Sequence, residues 1–334
     1  MLKPSVSVII CTMDRGCFLR RVLSTIADWR SSFQELIVVV GPTQDDTEFV
    51  LLENKHLIDH VIVTTLKNVS VARNLGLRAA SQELILYLDD DVIPSAEWVE
   101  SHVKAHQEQG SRCGCVAGAV ADKTRPDAPL QFSRGVQSRL SESRPVLSQP
   151  AEQRYLSKPH WFSGVMGANA SYKREALMQI GNFDEFYEYL LEETDICLRL
   201  LNAGYTIHHT DSTVDHYVQP SHNRHDRRHL TCWYALAKNT TYFALKHGCQ
   251  KCAYSPVFLA RLASLLLYRC LLRILRLKLT HRLPVALLLQ YMQEAIAGVG
   301  EGWKAGLQFH KPTSLSLSAS HRNESIHRKF GQNP

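Results

Sequence analysis

Residues 84–94 read LILYLDDDVIP, and this segment gives the clearest indication of the fold. Its first five residues are apolar without alternation, which predicts a strand buried on both faces of a sheet. Three adjacent carboxylates, Asp89, Asp90 and Asp91, follow that strand. Their mutual repulsion requires a compensating cation or full solvation. Open α/β sheets bind ligands at the carboxyl ends of their strands, so the position favours a hard divalent cation bridging a substrate diphosphate over a solvated acidic turn.

Three more strands precede this one, with helical patterns between them. The strands are predicted at Val6–Cys11, Glu35–Val40 and His60–Thr64, and the helices at Phe18–Trp29 and Ser70–Ala80, with Ser70 as an N-cap. Non-alternating strands interrupted by helices are typical of parallel sheets covered on both faces. The sequence therefore predicts an α/β fold with a Rossmann-like, mostly parallel sheet flanked by helices.

The pattern is less regular after residue 95. Further helices are expected at Ala96–Glu108, Lys173–Ile180, Asp195–Ala203 and His229–Lys246, and strands at Cys115–Val120, Tyr205–His209 and Ser212–Asp215. Residues 122–160 are rich in Pro, Ser, Arg and Gln and lack a clear period. They are therefore predicted to form a long loop.

Composition and charge restrict the possible function classes. Hydrophobic residues make up 45% of the 334 residues and charged residues 21%, which excludes wholesale disorder, collagen and a long coiled coil. Residues 1–218 carry 21 Lys and Arg against 28 Asp and Glu, whereas residues 219–334 carry 17 against 4. The basic last third indicates an anionic partner: a membrane surface, a nucleic acid or a phosphorylated substrate.

The basic third contains a long apolar stretch at 257–277. It could span a bilayer by length, but its four arginines cost about 2.5–3.5 kcal/mol each near a helix centre. Two interpretations of this stretch remain. It is an amphipathic helix that lies on a membrane surface, or a core helix whose solvent-facing side carries the arginines. The predicted division is a domain at 1–250, a basic amphipathic helical extension at 251–311 and a polar, flexible tail at 312–334.

The N-terminus and the cysteines predict the compartment. The first residues run directly into a strand without a basic, apolar, cleavable leader. The nine cysteines are scattered and odd in number, which favours reduced thiols over a disulfide scaffold. We therefore expect a cytoplasmic protein, peripheral at the inner face of a membrane.

Two further clusters contain ionisable side chains. Glu192, Glu193 and Asp195 begin a helix, where the helix dipole alone favours carboxylates or one of them can serve as a general base. Six histidines lie close together in sequence: His208, His209, His216, His222, His225 and His229. Their spacing matches no usual zinc pattern, so a single histidine, His216, is expected to join a carboxylate-bound metal.

In order and spacing, these motifs resemble family 2 glycosyltransferases of the GT-A fold over about residues 5–250. The similar segments are SVIICTMDR (7–15), Asn68–Ala80, LILYLDDDVIP (84–94, at the family's DxD motif), GVMGANASYKREALMQIGNFDE (164–185), LLEETDICLRLLNAGY (190–205), Asp215-His216 and AKNTTYFALKHG (237–248). The resemblance implies a role for each motif. It implies that the residues contacting the nucleotide-sugar donor are Thr12, Asp45, Arg73, Asp89 and Asp90. The implied metal ligands are Asp91 and His216. The implied catalytic base is Glu193, with Glu192 and Asp195 as supporting acids, and the implied donor–acceptor junction lies at Gly167 and Asn169.

The reaction implied by the resemblance is inverting transfer of a hexosyl or deoxyhexosyl group. The donor is a nucleoside-diphosphate sugar, and the acceptor is a hydroxyl of a glycan or lipid-linked acceptor in bacterial polysaccharide biosynthesis. A divalent cation, Mn²⁺ or Mg²⁺, neutralises the leaving diphosphate. Glu193 accepts the proton of the attacking hydroxyl, so the enzyme needs no nucleophile. The expected partners are the donor, the acceptor and an anionic membrane surface, without nucleic acid.

Two positions depart from the family pattern. Val40 stands where the family has an Asp that helps recognise the base, and Glu193 stands where the family's base is Asp. Val40 keeps open a non-catalytic nucleotide- or glycan-binding protein that retains the fold. A sugar-nucleotide nucleotidyltransferase is disfavoured because CTMDRGCF (11–18) is not the Gly-rich, basic loop it needs. Nucleic-acid binding is disfavoured because the basic tail lacks a stacking platform of aromatics.

Overall fold

The computed structural model describes residues 3–125, 127, 130–146, 148–219, 232–248, 255–281, 284–309 and 326–327. The strands are β1 (Val6–Thr12), β2 (Glu35–Val40), β3 (His60–Val63), β4 (Leu84–Asp89), β5 (Val92–Pro94), β6 (Cys113–Asp122), β7 (Leu130–Phe132), β8 (Arg134–Ser138), β9 (Ser143–Val146), β10 (Trp161–Gly164), β11 (Ala170–Lys173), β12 (Thr206–His216) and β13 (Ile326–His327). The helices are α1 (Gly16–Ala27), α2 (Thr47–Glu53), α3 (Val69–Ala79), α4 (Trp98–Gln109), α5 (Gln149–Leu156), α6 (Arg174–Gln179), α7 (Glu192–Asn202), α8 (Trp233–His247), α9 (Pro256–Leu266), α10 (Arg273–His281) and α11 (Val285–Phe309).

Within the described residues, ten strands form one mixed sheet in the order β13–β3–β2–β1–β4–β11–β6–β12–β5, with β7 beside β6. Strands β3, β2, β1 and β4 are parallel, which confirms the sequence prediction for this half. β11 runs antiparallel between β4 and β6 and begins opposite Tyr87, near the end of β4. The turn Gly167–Asn169 that leads into β11 therefore lies at the carboxyl edge of the sheet, close to the acidic cluster.

Alternate residues of the central strands point into two separate cores. Ile9 and Tyr87 belong to the core that the sheet forms with α3, α7 and α8. Ile10 and Leu88 belong to the core formed with α1 and α4. Burial on both faces explains why these strands are continuously apolar in sequence. The two cores fix the end of β4, from which the three aspartates extend.

Residues 122–160 differ from the prediction of a long loop. They contain β7, β8, β9 and α5. β8 lies between β9 and β10 in a separate three-stranded sheet. β8 reads RGVQS, which has no periodicity that predicts a strand, and it pairs with both β9 and the distant β10.

Two other predictions are corrected. Ser70 is not the N-cap of α3, because the side chain of Asn68 accepts the hydrogen bond from the Val71 N–H at 3.1 Å. The two strands predicted between residues 205 and 215 are one strand, β12, whose register with β6 is irregular between His209 and Thr213.

The basic extension packs against α8. α9, a π-helical turn at Leu267–Leu272 and α10 follow one another without a break. The inner side of this long helix adds four residues to two small apolar clusters shared with α8: Phe258, Leu262, Cys270 and Ile274. The extension therefore covers apolar surface of the preceding domain.

α11 lies along α8 at close range. A Cβ added at Gly298 would lie 2.3 Å from the carbonyl oxygen of Tyr234, and one at Gly302 would lie 2.2 Å from that of Lys238. Only glycine permits this approach of two helix backbones. None of the helices built from the described residues combines the length and apolarity needed to cross a membrane.

The division into three parts stays a prediction. Of the tail at 312–334, the structure describes Ile326–His327, which pair with β3 as β13. The helix predicted from His229 begins at Trp233, and residues 220–231 lie outside the described part of the chain.

Candidate functional site

A cavity of about 340 Å³ opens at the carboxyl edge of the sheet. Its walls come from the ends of β1 and β4, the start of α3, the turn Gly167–Asn169 and the start of α7. Asp89–Asp91 and Glu192–Glu193, distant in sequence, line this same cavity. The fold therefore brings the two predicted acidic clusters together.

Asp91 and His216 form a buried pair in the wall of the cavity. The Oδ1 atom of Asp91 lies 3.2 Å from Nε2 of His216, and both side chains are almost fully buried. His216 Nδ1 donates a hydrogen bond to Oε1 of Gln131 at 2.8 Å, which leaves the lone pair of the ring on Nε2. No hydrogen bond from a described residue reaches Nε2.

This pair fits a divalent cation. A carboxylate oxygen and a ring nitrogen that both present lone pairs at 3.2 Å repel each other unless a cation or proton lies between them. Among the described residues, no group of three or more His, Cys, Asp or Glu side chains is arranged to hold a metal. Mg²⁺-like ions are commonly held by one or two protein ligands together with water and substrate phosphates, which is the kind of site that Asp91 and His216 could supply.

Asp90 is bound by protein groups. The hydroxyl of Thr12 donates to Asp90 Oδ2 at 2.8 Å. Nη1 of Arg15 donates to Asp90 Oδ1 at 2.8 Å and to Asp91 Oδ2 at 3.0 Å. Burial raises the pKa of Asp90 although Arg15 opposes the shift, and the charge of Asp91 adds to it. Thr12 and Asp90 thus contact each other, and Arg15 offsets the repulsion within the cluster.

Arg73 connects the two acidic clusters. Its side chain is 5% exposed, and its Nη1 lies 3.1 Å from Glu192 Oε1 and 3.3 Å from Glu193 Oε1. Its Nη2 lies 3.7 Å from Oδ1 of Asp89. A buried cation is stable only when it is paired, and three carboxylates supply that pairing here. Arg73 therefore fixes the spacing between the end of β4 and the start of α7.

The two glutamates differ in environment. The side chain of Glu192 is 6% exposed and that of Glu193 is 20% exposed. Burial raises the pKa of Glu192, and the neighbouring charge of Glu193 adds to this effect. Glu193 is therefore the less buried of the two carboxylates in the cavity wall.

The chain enters α7 through a strained turn. Leu190 and Leu191 have φ angles of 72° and 69°, a left-handed conformation that is unfavourable for branched side chains. Nδ2 of Asn239 on α8 donates to the carbonyl oxygens of Tyr189 and Leu190 at 2.6 and 2.9 Å. Asn239 thus holds the turn that places Glu192 and Glu193 at the first positions of α7.

Gly167 lies directly against Glu193. A Cβ added at Gly167 would be 2.0 Å from Glu193 Oε1 and 3.0 Å from Nη2 of Arg73. The absence of a side chain at Gly167 therefore leaves room for the carboxylate. The expected place of Gly167 at the donor–acceptor junction stays a prediction.

Asp195, expected as a supporting acid, does not line the cavity. It is fully buried, and its oxygens accept hydrogen bonds from Arg199, Lys246 and His247 at 2.6–2.7 Å. Burial alone would raise the pKa of Asp195, but these three groups hold it well below its usual range. Asp195 therefore joins α7 to α8, and its saturated carboxylate is not placed to act as a base.

Asn169, expected at the acceptor junction, is also a structural residue. Its side chain is fully buried, and Oδ1 accepts hydrogen bonds from Trp98 Nε1 and His102 Nε2, both at 2.9 Å. Its Nδ2 donates to the carbonyl oxygen of Ala119 at 2.8 Å. Asn169 thus joins β11, α4 and β6 and has no surface for an acceptor.

Asp45, expected to contact the donor, lies outside the cavity lining. Its carboxylate accepts hydrogen bonds from the Gly16 N–H at 2.7 Å and from Thr43 and Thr47. Burial would raise the pKa of Asp45, but these hydrogen bonds, led by Thr47, lower it to about 2. Its geometry supports a role in joining the loop before α1 to the loop before α2, and direct donor contact stays a prediction that this geometry does not favour.

Val40, which stands where the family has an Asp, is a buried core residue. Val40 is 2% exposed and packs in the core beneath α1, so its side chain does not line the cavity, whereas Gly41 does.

The other histidines of the sequence cluster lie elsewhere or outside the described residues. His208 contacts Thr206 and His209 contacts Glu152, while His222, His225 and His229 are not described.

Four residues at the site were not found by sequence reasoning. Arg15 had one available signal, since it follows β1 at the same edge of the sheet as the acidic cluster. Gln131 and Gln137 lie in the aperiodic segment after β6, and Asn239 lies within a helix. The sequence of the two glutamines gave no indication of proximity to the cavity, and Asn239 lies in the family-like segment 237–248 but was assigned no role there.

Parts of the chain are similar to known proteins. The model of the family "Glycosyl transferase family 2" matches residues 7–181. The validoxylamine A glucosyltransferase of Streptomyces hygroscopicus subsp. jinggangensis is 34% identical over 108 residues, 31% of this chain and 26% of that protein. The pre-mycofactocin glycosyltransferase of Mycobacterium tuberculosis is 26% identical over 213 residues, 60% of this chain and 39% of that protein. The chain thus spans well under half the length of these relatives.

A solved structure shares the fold. The mannosyltransferase PcManGT from Pyrobaculum calidifontis, in complex with GDP-Man and Mn²⁺, superimposes with a TM-score of 0.53. The alignment covers 92% of this chain and 88% of that one, with 16% identity. This similarity confirms the expected GT-A fold, with its mostly parallel sheet and flanking helices.

The contact at Gly167 leads to a first prediction. We expect Gly167→Ala to fold with a moderate loss of thermal stability, because the added methyl displaces the Glu193 carboxylate and disturbs its pairing with the buried Arg73. Sugar transfer should fall at least ~100-fold, as for loss of a general base. The control is Gly300→Ala on α11, where an added Cβ meets nothing within 4 Å. Normal transfer by Gly167→Ala would show that the position of the Glu193 carboxylate is unimportant.

Proposed function

The chain belongs to glycosyltransferase family 2, and we propose that it transfers a sugar, with inversion, from a nucleoside-diphosphate sugar to a hydroxyl of a glycan or lipid-linked acceptor. One observation supports this most directly. Asp89–Asp91, at the predicted donor and metal position, and Glu193, the predicted base, line one cavity and are connected by Arg73.

The donor end of the proposed site is the acidic cluster. Asp91 and His216 would hold a divalent cation, Mn²⁺ or Mg²⁺, which when bound neutralises charge on the leaving diphosphate. GDP-Man and Mn²⁺ in the structural relative support this assignment. Thr12 and Arg15 keep Asp90 in place, and Asp89, with a 37% exposed side chain, is available to the donor.

The acceptor end is Glu193. A base must reach the proton that it removes and must be ionised in the resting site. Glu193 meets the first need because it lines the cavity, and its Oε1 lies 3.3 Å from Nη1 of Arg73. In the proposed step, the acceptor oxygen forms a bond to the anomeric carbon while the bond to the diphosphate breaks. The hydroxyl proton passes to Glu193.

We further propose that the protein works at the cytoplasmic surface of a membrane, in polysaccharide biosynthesis. The outer side of the helix formed by α9 to α10 exposes apolar residues three or four positions apart: Tyr268, Leu272, Leu275 and Leu279. Exposed arginines, Arg261, Arg273 and Arg276, lie among them. Leucines that enter the headgroup boundary, beside cations that pair with anionic lipids, are the features of a helix lying on a membrane.

Glu193→Gln tests the base. The amide keeps the size of the side chain but accepts no proton, so donor binding should be unchanged while transfer falls at least ~100-fold. Turnover and donor affinity are measured for this variant and for the exposed Glu175→Gln. Near-normal turnover would assign the base to another group.

Nucleotide-dependent stability tests the donor site and separates an enzyme from a non-catalytic glycan binder. Thermal unfolding is followed with a panel of nucleoside diphosphates, with and without Mn²⁺. A nucleotide at 100 times its Kd should add roughly 2.7 kcal/mol to the free energy of unfolding. The gain should require Mn²⁺ and disappear in Asp91→Asn but not in the exposed Asp46→Asn. Absence of any response would contradict the proposed activity.

Sedimentation with liposomes tests the membrane surface. Replacing Leu272 and Leu279 by serine removes outer apolar groups without touching the inner side that packs on α8. Binding to vesicles containing anionic phosphatidylglycerol should weaken by at least about tenfold, because burying each leucine contributes about 1.5–3 kcal/mol. Leu52→Ser, at an equally exposed leucine of α2, should bind normally. Equal binding by all proteins would exclude this surface.

A further inference from the structure

A carboxamide in the cavity wall has no assigned role. We propose that Gln137 on β8 binds a hydroxyl group of the saccharide substrate and thereby contributes to sugar selection. This inference rests on the proposed glycosyl transfer but assigns a residue that neither the family motifs nor the comparisons identify.

The burial of Gln137 is the first argument. Gln137 lines the cavity and is 9% exposed, yet its side chain forms no hydrogen bond with any described residue. Oε1 is among the buried polar atoms without a partner. A buried carbonyl oxygen without a partner destabilises a fold, so such an oxygen on a side chain of the cavity wall points to a ligand group that donates a hydrogen bond to it.

Packing holds this amide in place. A Cβ added at Gly164 on the neighbouring strand β10 would lie 2.5 Å from Cδ of Gln137 and 2.7 Å from Oε1. The amide therefore rests against the bare backbone of Gly164. A polar group that is fixed before the ligand arrives loses little entropy on binding.

The distance to the proposed base suits a sugar. Gly164 is three residues from Gly167, which contacts Glu193, and three residues span at most about 11 Å. Gln137 and Glu193 each lie against one of these two glycines and line the same cavity, so a ligand in that cavity lies beside both side chains. A carboxamide has two N–H donors and one carbonyl acceptor, which match the donor and acceptor character of sugar hydroxyls.

The test uses the full chain, with Gln137→Met as the variant, because Met has a similar length but forms no comparable hydrogen bond. Gln107→Met, at an exposed glutamine of α4, is the matched control. Calorimetry with Mn²⁺ compares the Kd of UDP-glucose and GDP-mannose with those of UDP and GDP. Transfer kinetics then give KM for the acceptor and kcat. Thermal unfolding of the free proteins is measured in parallel.

We expect Gln137→Met to be at least as stable as the wild type, because it removes an unpaired buried amide, and yet to bind saccharide about tenfold more weakly. A smaller ratio of nucleotide Kd to nucleotide-sugar Kd assigns the hydroxyl to the transferred sugar. An unchanged ratio with a raised KM for the acceptor assigns it to the acceptor. If the wild type binds a nucleotide sugar and Gln137→Met changes neither the Kd ratio nor the acceptor KM, the inference about Gln137 is wrong while the proposed function stands. If the wild type binds no nucleotide, both the proposed function and the inference fail.

Discussion

The pairing of Arg73 with three carboxylates is the constraint on which the site depends. Asp89 ends a central strand, whereas Glu192 and Glu193 begin a helix more than a hundred residues later. One buried guanidinium contacts all three, and a shift of α7 away from Arg73 would leave the buried Arg73 and Glu192 without their closest ionic contacts. The same pairing brings a proposed donor contact and a proposed base into one cavity and sets their separation.

Other contacts act on the same two segments. Asn239 holds the strained turn before α7, and Asp195 anchors the first turn of α7 to Lys246 and His247. Both sets of partners lie on α8, so α8 determines where α7 begins. Strain at Leu190 and Leu191 persists because this surrounding network fixes the backbone.

The sequence predicted the features that depend on local pattern. Apolar runs without alternation predicted β1, β2 and β4, and the three aspartates after β4 do line the cavity. Side-chain partnership depends on distant contacts, so Asp195 and Asn169 looked functional by motif but are saturated by Lys246, His247, Trp98 and His102. Gln137 was not foreseen for the same reason: it reaches the cavity on a strand held between β9 and the distant strand β10. The assigned chemical roles remain predictions.

The glycines at 298 and 302 let α11 lie almost in backbone contact with α8. α8 thus makes contacts on two sides. One side hydrogen-bonds to the turn before Glu192, and the other packs against the C-terminal helices. α8 therefore lies between the C-terminal helices and the turn that precedes Glu192 and Glu193. The C-terminal helices therefore support α8 and, through it, the site. A chain that ended before residue 256 would lose this support as well as the exposed apolar and basic surface of α9 to α10.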